Sequence, residues 1–283
     1  MSGAFNFIHM SFVNFNGKIL PAEELVISGQ SHAFRYGDGL FETIRMDHGQ
    51  MPFFDRHMDR LFRGLSALYF ECPRLFSPAF LHQEIDKLVQ KNRIKGSARI
   101  RLTLFRGEGG LFDPEHHHPY FFIEATALPE QYNRLNENGL VVDVFDAVRK
   151  HADRVSSFKT CNHLPYVLAA IEAKKRRVNE CLLLNTEGRI CDATISNLFW
   201  VKQGNIFTPP LSEGGIDGVM RRYLLENPFE GFLFSEKPLD PAELMEADEL
   251  FLTNALYKIR WVKQLGHKEY HCLAASRIFS MLA

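Results

Sequence analysis

Ser156-Ser157-Phe158-Lys159-Thr160-Cys161-Asn162 is the stretch on which the reading of this 283-residue chain turns. Lys159 stands just before an amphipathic segment and about thirty residues ahead of Asp192-Ala193-Thr194-Ile195-Ser196-Asn197-Leu198-Phe199. A primary amine attacks a carbonyl only when deprotonated. A protein that uses a lysine as a carbonyl trap therefore withdraws it from water or sets it beside other positive charge. Most lysines are solvated surface residues, so Lys159 gains its meaning from residues elsewhere in the chain.

The bulk composition limits the alternatives. At 46% apolar residues the chain can bury one large or two medium cores. Its 33 basic and 34 acidic residues leave a formal charge of −1, so no overall field draws it to nucleic acid or to an anionic membrane. Apolar runs such as Cys181 to Leu184 and Ile195 to Val201 are far shorter than the ~20 residues of a membrane span, and the N-terminal residues carry no basic-then-apolar pattern. The expectation is a soluble cytoplasmic protein. Cys72, Cys161, Cys181, Cys191 and Cys272 are odd in number and scattered, which reads as reduced, mostly buried thiols and not as a disulfide framework or metal site.

Local periodicity supplies the elements. Phe12-Val13-Asn14-Phe15, the turn pair Asn16-Gly17 and Lys18-Ile19-Leu20 predict a tight hairpin. Phe54, Met58, Leu61, Leu65 and Leu68 recur at helical spacing, predicting a helix over 53–70, and a second is expected over roughly 78–92. Alternation predicts strands from Ser97 to Arg106 and from Tyr120 to Ala125. Leu128-Pro129-Glu130-Gln131-Tyr132-Asn133 breaks both periods, so a linker is placed at 128–135, between a smaller domain (1–127) and a larger one (136–283). Beyond it a strand is expected from Leu140 to Phe145, then a helix with Leu164, Val167, Leu168 and Ile171 on one side. A hairpin from Cys181 turns at Asn185-Thr186-Glu187-Gly188, and strands follow at Asn197 to Val201 and Glu249 to Thr253. The fold class is α+β in two domains, with the site in the cleft between them.

Five segments together resemble the class IV aminotransferase family of pyridoxal-phosphate enzymes. They are Tyr36-Gly37-Asp38-Gly39-Leu40-Phe41-Glu42-Thr43, His57-Met58-Asp59-Arg60-Leu61, the Lys159-Thr160-x-Asn162 loop, Asp192 to Phe199, and Gly218-Val219-Met220-Arg221. Their order and spacing are more specific than any one of them, and the resemblance covers nearly the whole chain. It implies the two-domain fold of type IV and pyridoxal 5′-phosphate as cofactor. It makes Lys159 the residue that carries the cofactor and that then serves as base and acid. Asp192 falls where the family usually has a Glu facing the pyridine nitrogen, and it is shorter by one carbon, roughly 1.5 Å. Ser196 and Asn197 of the same stretch are assigned to the cofactor as well.

For the phosphate, the resemblance implies Arg60 and the helix start at Gly218-Val219-Met220, where Gly218 would permit close approach and backbone N–H groups are free. Met220 stands where many relatives have Thr and contributes only its N–H. Thr253 and Asn254 either supply side-chain donors or are ordinary strand-end turn residues. On the substrate side the resemblance places Tyr36 and Thr43. Arg106, in Arg106-Gly107-Glu108-Gly109-Gly110, either reaches a substrate carboxylate or is a turn arginine. His116-His117-His118 reads as an exposed loop, and no metal is assigned.

Three features tilt the reaction toward a lyase that splits 4-amino-4-deoxychorismate into 4-aminobenzoate and pyruvate. They are Leu198-Phe199-Trp200 after Ser196-Asn197, the Gly-Val-Met-Arg form of the phosphate loop, and the glycines after Arg106. The alternatives are a transaminase of branched-chain or D-amino acids using 2-oxoglutarate, and a non-catalytic dimeric relative, which the departures at Asp192 and Met220 favour. The resemblance implies a homodimer acting on a small-molecule amino substrate, with no nucleic-acid or membrane partner.

Overall fold

The structure is a computed structural model that describes residues 11–282. Two sheets divide it. The first is built from β1 (Phe12–Phe15), β2 (Lys18–Pro21), β3 (Gly39–Asp47), β4 (Ser97–Phe105) and β5 (Tyr120–Ala127) in the order β2-β1-β5-β4-β3, every pair antiparallel. Around it lie the short α1 (His32–Tyr36), α2 (Phe54–Ala67) and α3 (Pro78–Lys91). The expected hairpin forms at Asn16-Gly17, with both residues at positive φ. α2 and α3 bury the stripes their spacing predicts, Met58, Leu61 and Leu65 on one and Leu81, Ile85 and Leu88 on the other, against Ile44, Ile100 and Leu102 of the sheet. Ser77 caps α3 by accepting from Phe80 N–H, and Pro78 occupies the first turn, where its missing donor costs nothing.

The second sheet begins beyond a 3₁₀ turn at Glu130–Asn133. Its strands are β6 (Leu140–Lys150), β7 (Glu180–Asn185), β8 (Ile190–Ala193), β9 (Asn197–Lys202), β10 (Asn205–Thr208), β11 (Phe234–Glu236), β12 (Glu249–Asn254), β13 (Lys258–Leu265) and β14 (Lys268–Glu269). They run β11-β10-β9-β12-β13-β6-β7-β8, with β14 beside β13. β6 continues five residues past the expected Phe145, which carries Lys150 beside Asn185 of β7. The connection from β6 to the parallel β7 passes through α4 (Leu164–Arg176), while α5 (Val219–Glu226) and α6 (Ala274–Met281) pack on β12.

One predicted face is corrected. α4 buries Tyr166, Ala169 and Ala173, whereas Leu164, Val167 and Ile171 are 61%, 50% and 48% exposed. Both stripes have helical spacing. The alanines win because their small size lets the helix lie close on Phe145, Cys181 and Leu183. All five cysteines are free, but only Cys181 and Cys191 are buried and Cys72 is exposed. No described helix is long and apolar enough to cross a membrane.

Candidate active site

The Lys159 loop is held at the seam of the two sheets. Phe41 N–H donates to the Lys159 carbonyl at 2.9 Å and Cys161 N–H to the Gly39 carbonyl at 2.8 Å, so the loop runs as an extra rung along the start of β3. Phe158 packs into the first core, and the Ser157 carbonyl accepts from Asp217 N–H at 2.9 Å on the approach to α5. Gly39 is required by the strand on its other side, since a Cβ there would lie 2.4 Å from the Leu104 carbonyl oxygen of β4. Beside the loop opens a cavity of about 540 Å³. Lys159, Arg60, Thr43, Asp192, Ser196 and Asn197 line it, as do Gly218, Val219, Thr253 and Asn254.

Lys159 is half-buried in that wall, its Nζ 4.4 Å from the centroid of the Phe41 ring. Burial, reinforced by the positive charge of Arg60, pulls its pKa from 10.5 down to about 8, against the opposing pull of Glu42 and Asp192. A drop of that size raises the neutral fraction at pH 7 by ~300-fold. The residue has the property a carbonyl-trapping amine requires.

At one end of the cavity stands a buried ion cluster. Arg60 Nε donates to Glu42 Oε1 at 2.8 Å, its Nη2 binds Glu42 Oε2, and its Nη1 donates to the Asp217 carbonyl at 2.9 Å. His57 Nδ1 lies 2.7 Å from Glu42 Oε2. Glu42 is fully buried, which would raise its pKa, but the Arg60 guanidinium and His57 prevail and hold it at about 2. Burial works against the charge on Arg60 too, and Glu42 again outweighs it, holding the guanidinium above its ordinary value. These bonds use three of the five guanidinium N–H groups. Facing the cavity nearby, Thr253 Oγ1 and His57 Nε2 are buried with no hydrogen-bond partner among the described residues. The first-turn amides of α5 have no intrahelical acceptor. With Nδ1–H turned to Glu42, the neutral His57 ring leaves Nε2 as an acceptor, whereas the Thr253 hydroxyl and the α5 amides, beside a guanidinium, are unspent donors that fit a phosphate group.

At the other end the Asp192 carboxylate lines the cavity and is held from behind by protein donors. Its Oδ1 accepts from Asn197 Nδ2 at 3.1 Å and from Ala193 N–H at 3.2 Å. Its Oδ2 accepts from the Tyr166 hydroxyl at 2.7 Å and from Ile216 N–H at 3.0 Å. Asn197 also donates to the Ile216 carbonyl. Gly218 serves this arrangement, since a Cβ there would lie 1.7 Å from Asn197 Oδ1. The missing side chain at Gly218 thus makes room for the amide that orients Asp192.

Some expected residues are placed differently. Tyr36 is outside the cavity wall, packed against Phe112, and Arg106 is buried elsewhere, donating to Asp38 Oδ1 at 2.6 Å and to the Leu68 carbonyl. Ion pairing and burial hold Arg106 off the cavity wall, and it is not an exposed turn residue. The Met220 side chain is fully buried in the core with Phe199 and Phe251, leaving its backbone amide to α5. Asn254 Oδ1 accepts from Leu256 and Tyr257 N–H groups, the turn role, and Ser196 Oγ donates to Glu180. His118 Nδ1 donates to the Glu71 carbonyl, and among the described residues no metal-ligand cluster forms.

Other wall residues were not singled out by sequence. Tyr166 and His163 stack at 4.3 Å, and burial pushes the His163 imidazole down to about 3, so it is neutral. Arg99 and Arg101 project from the same face of β4, two residues apart as the pleat requires. Arg101 lies 3.9 Å from the centroid of the same Phe41 ring that Lys159 approaches, so the two cations are at most about 8 Å apart. Arg99 has no ion-pair partner among the described residues. The alternation of β4 signalled that these arginines share a face; only the fold shows that the face is the cavity.

Comparison with known proteins agrees with this geometry. A family model described as amino-transferase class IV matches residues 39–265. The aminodeoxychorismate lyase of Bacillus subtilis strain 168 is 31% identical over 252 residues, covering 86% of this chain and 83% of that protein. A putative branched-chain-amino-acid aminotransferase of Methanocaldococcus jannaschii is also 31% identical, over 253 residues, covering 87% and 85%. Among solved structures, the branched-chain aminotransferase of Thermoproteus uzoniensis superposes with a TM-score of 0.87 at 24% identity, covering 96% of this chain and 93% of that one.

Proposed function

Because the chain belongs to the class IV amino-transferase family of pyridoxal-phosphate enzymes, we propose that the seam cavity binds the cofactor through Lys159 and acts on an anionic amine. The leading reaction is cleavage of 4-amino-4-deoxychorismate to 4-aminobenzoate and pyruvate. The observation that carries the choice is the Arg99–Arg101 face beside Lys159. Two guanidiniums suit a substrate with two carboxylates, and with Tyr132 and Tyr257 in the same wall they suit a cyclic anion better than a branched aliphatic side chain.

When bound, the cofactor supplies an electron-accepting ring that spreads negative charge off the reacting carbon. The chain supplies the rest. Arg60, the α5 amides and Thr253 would hold the phosphate, and Asp192 would face the ring nitrogen. Lys159, with its depressed pKa, exchanges the proton at the substrate carbon next to the amine. Phe41 supports both Lys159 and Arg101, which fixes the distance between the proton-transfer group and the carboxylate anchor. Tyr36 takes its substrate role only if a second copy presents it. Assembly as a homodimer is part of this reading and fits the exposure of Leu164, Val167 and Ile171, of which Val167 also borders the cavity. Sedimentation of the purified protein checks it.

The second reading is a transaminase, favoured by the equal identity to a branched-chain relative. Incubating holoenzyme with 4-amino-4-deoxychorismate and no keto acid separates the two. Formation of aminobenzoate and pyruvate is expected. Turnover that depends strictly on an added keto acid sinks the lyase reading.

A further inference from the structure

Lys150 is a buried lysine that the reading above does not use. It ends β6, is 8% exposed and lies behind the cavity wall. Its Nζ contacts the Tyr166 hydroxyl and stands 3.7 Å from Asp192 Oδ2. The ammonium also lies 4.6 Å from the centroid of the Tyr166 ring. No other carboxylate pairs with it among the described residues. Withdrawing an ammonium from water is costly unless the charge has work at its new position.

That position is the back of Asp192. A carboxylate has about four acceptor sites. Here three are taken by Tyr166, Ile216 and Asn197, the Ala193 N–H donates at shorter range to the Ser196 carbonyl (2.9 Å) than to Asp192 (3.2 Å), and a positive charge stands beside them. Tyr166 donates to Asp192 while lying against Lys150, so hydroxyl, ammonium and carboxylate form one polarised chain. The other ionisable groups acting on or near Asp192 are Lys159 on its loop, Glu180 at the start of β7, and Cys191. Among the described residues only Lys150 offers it a counter-charge from outside the cavity. A carboxylate so compensated is a weaker partner for a further N–H donor than a free one.

We propose that Lys150, acting through Tyr166 and Asp192, lowers the pKa of the ring nitrogen of the bound cofactor, making Lys150 a positioning residue that tunes how strongly the ring draws electrons. The proposal rests on the reading that the cavity binds pyridoxal phosphate with Asp192 at the ring nitrogen. It gives a physical use to the shorter acid, since a hydroxyl and an ammonium stand close behind it.

The test is nitrogen-15 NMR of holoenzyme reconstituted with ring-labelled pyridoxal phosphate, following the ring-nitrogen shift against pH. Lys150→Met is expected to raise the ring-nitrogen pKa by about one unit or more, a tenfold change in protonated fraction, because it removes a unit charge beside its partner. Lys150→Arg keeps the charge and is expected to stay near wild type. Lys150→Gln offers Tyr166 a polar neighbour and serves if the Met variant does not fold. A role confined to stability would leave the nitrogen pKa unmoved in every variant that binds cofactor, and that result overturns the proposal. Asp192→Asn separates the failures. If it lowers the nitrogen pKa while Lys150→Met leaves it unchanged, the Lys150 proposal alone falls. If it too has no effect, or if the labelled cofactor is not retained, the cofactor reading falls with it.

Discussion

The two ends of the cavity are built in opposite senses. Around Asp192 the carboxylate already accepts from Tyr166, Ile216 and Asn197, and a lysine stands behind. Around Arg60 and α5 the Thr253 hydroxyl, two guanidinium N–H groups and the first-turn amides have donors to spare. The satisfied end is a finished piece of protein whose geometry does not depend on what binds. The unsatisfied end carries the cost of buried donors without acceptors, about 1–3 kcal/mol per group, and recovers it when an anion arrives. On the proposed reading, affinity is concentrated at the phosphate end and electronic control at the acid end.

The strongest way to break this division is to remove the group between the ends. Lys159→Ala is expected to abolish the yellow covalent form and to lower turnover by about 10²–10⁴-fold, the range for losing a positioned acid–base group. Absorbance and steady-state assays read both effects. A variant that stays yellow and active would show that another amine carries the chemistry. Next in size is Arg60→Ala, which leaves the Glu42 carboxylate buried and unpaired. The expected loss is about 3–5 kcal/mol of folding stability even without cofactor, read by urea unfolding of the apoprotein. A loss confined to cofactor affinity would mean that the cluster is not integral to the fold.

Acid should expose the same cluster. Glu42 titrates at about 2 when folded and at 4.5 ordinarily, so the unfolded chain binds its proton first as pH falls. The stabilisation is fully present above about pH 4.5 and disappears as pH drops through about 2, up to ~3 kcal/mol in all. Glu42→Gln is expected to flatten that part of the stability profile, measured as urea midpoints between pH 6 and 2. An unchanged acid limb would assign the acid sensitivity to other carboxylates.

Sequence made the two ends unequally visible. Lys159, Arg60, Asp192 and the Gly218 turn were legible because each sits in a local segment with its own chemical reason, and their order along the chain is specific. The hairpin at Asn16-Gly17 and the helices at 54–67 and 78–91 were legible for the same local reason. What stayed hidden depends on which distant groups meet. Nothing near Lys150 in sequence announces that a longer β6 brings it against Tyr166, sixteen residues on. Arg106 had two open readings, and the fold chose a third by supplying Asp38 and the Leu68 carbonyl. The face of α4 was misjudged because apolar size was weighed above the close approach that Ala169 and Ala173 allow.

Thr253→Val is the smallest and sharpest probe of the contrast between the ends. The two side chains have nearly the same shape, and the Thr253 hydroxyl has no partner among the described residues. Its removal takes away no protein hydrogen bond and relieves one buried polar group, so apoprotein stability should stay level or rise slightly. Cofactor affinity should fall about ten- to a hundredfold, the value of roughly one hydrogen bond to a charged acceptor, read by titrating apoprotein with pyridoxal phosphate. Asn197→Ala, at the acid end, should behave in reverse. It strips a donor from Asp192 and from the Ile216 carbonyl and opens a void beside Gly218, so the apoprotein itself should lose about 1–3 kcal/mol. If instead Thr253→Val destabilises the apoprotein as much as Asn197→Ala does, its hydroxyl has a structural partner and the phosphate end is not the unspent half of the site.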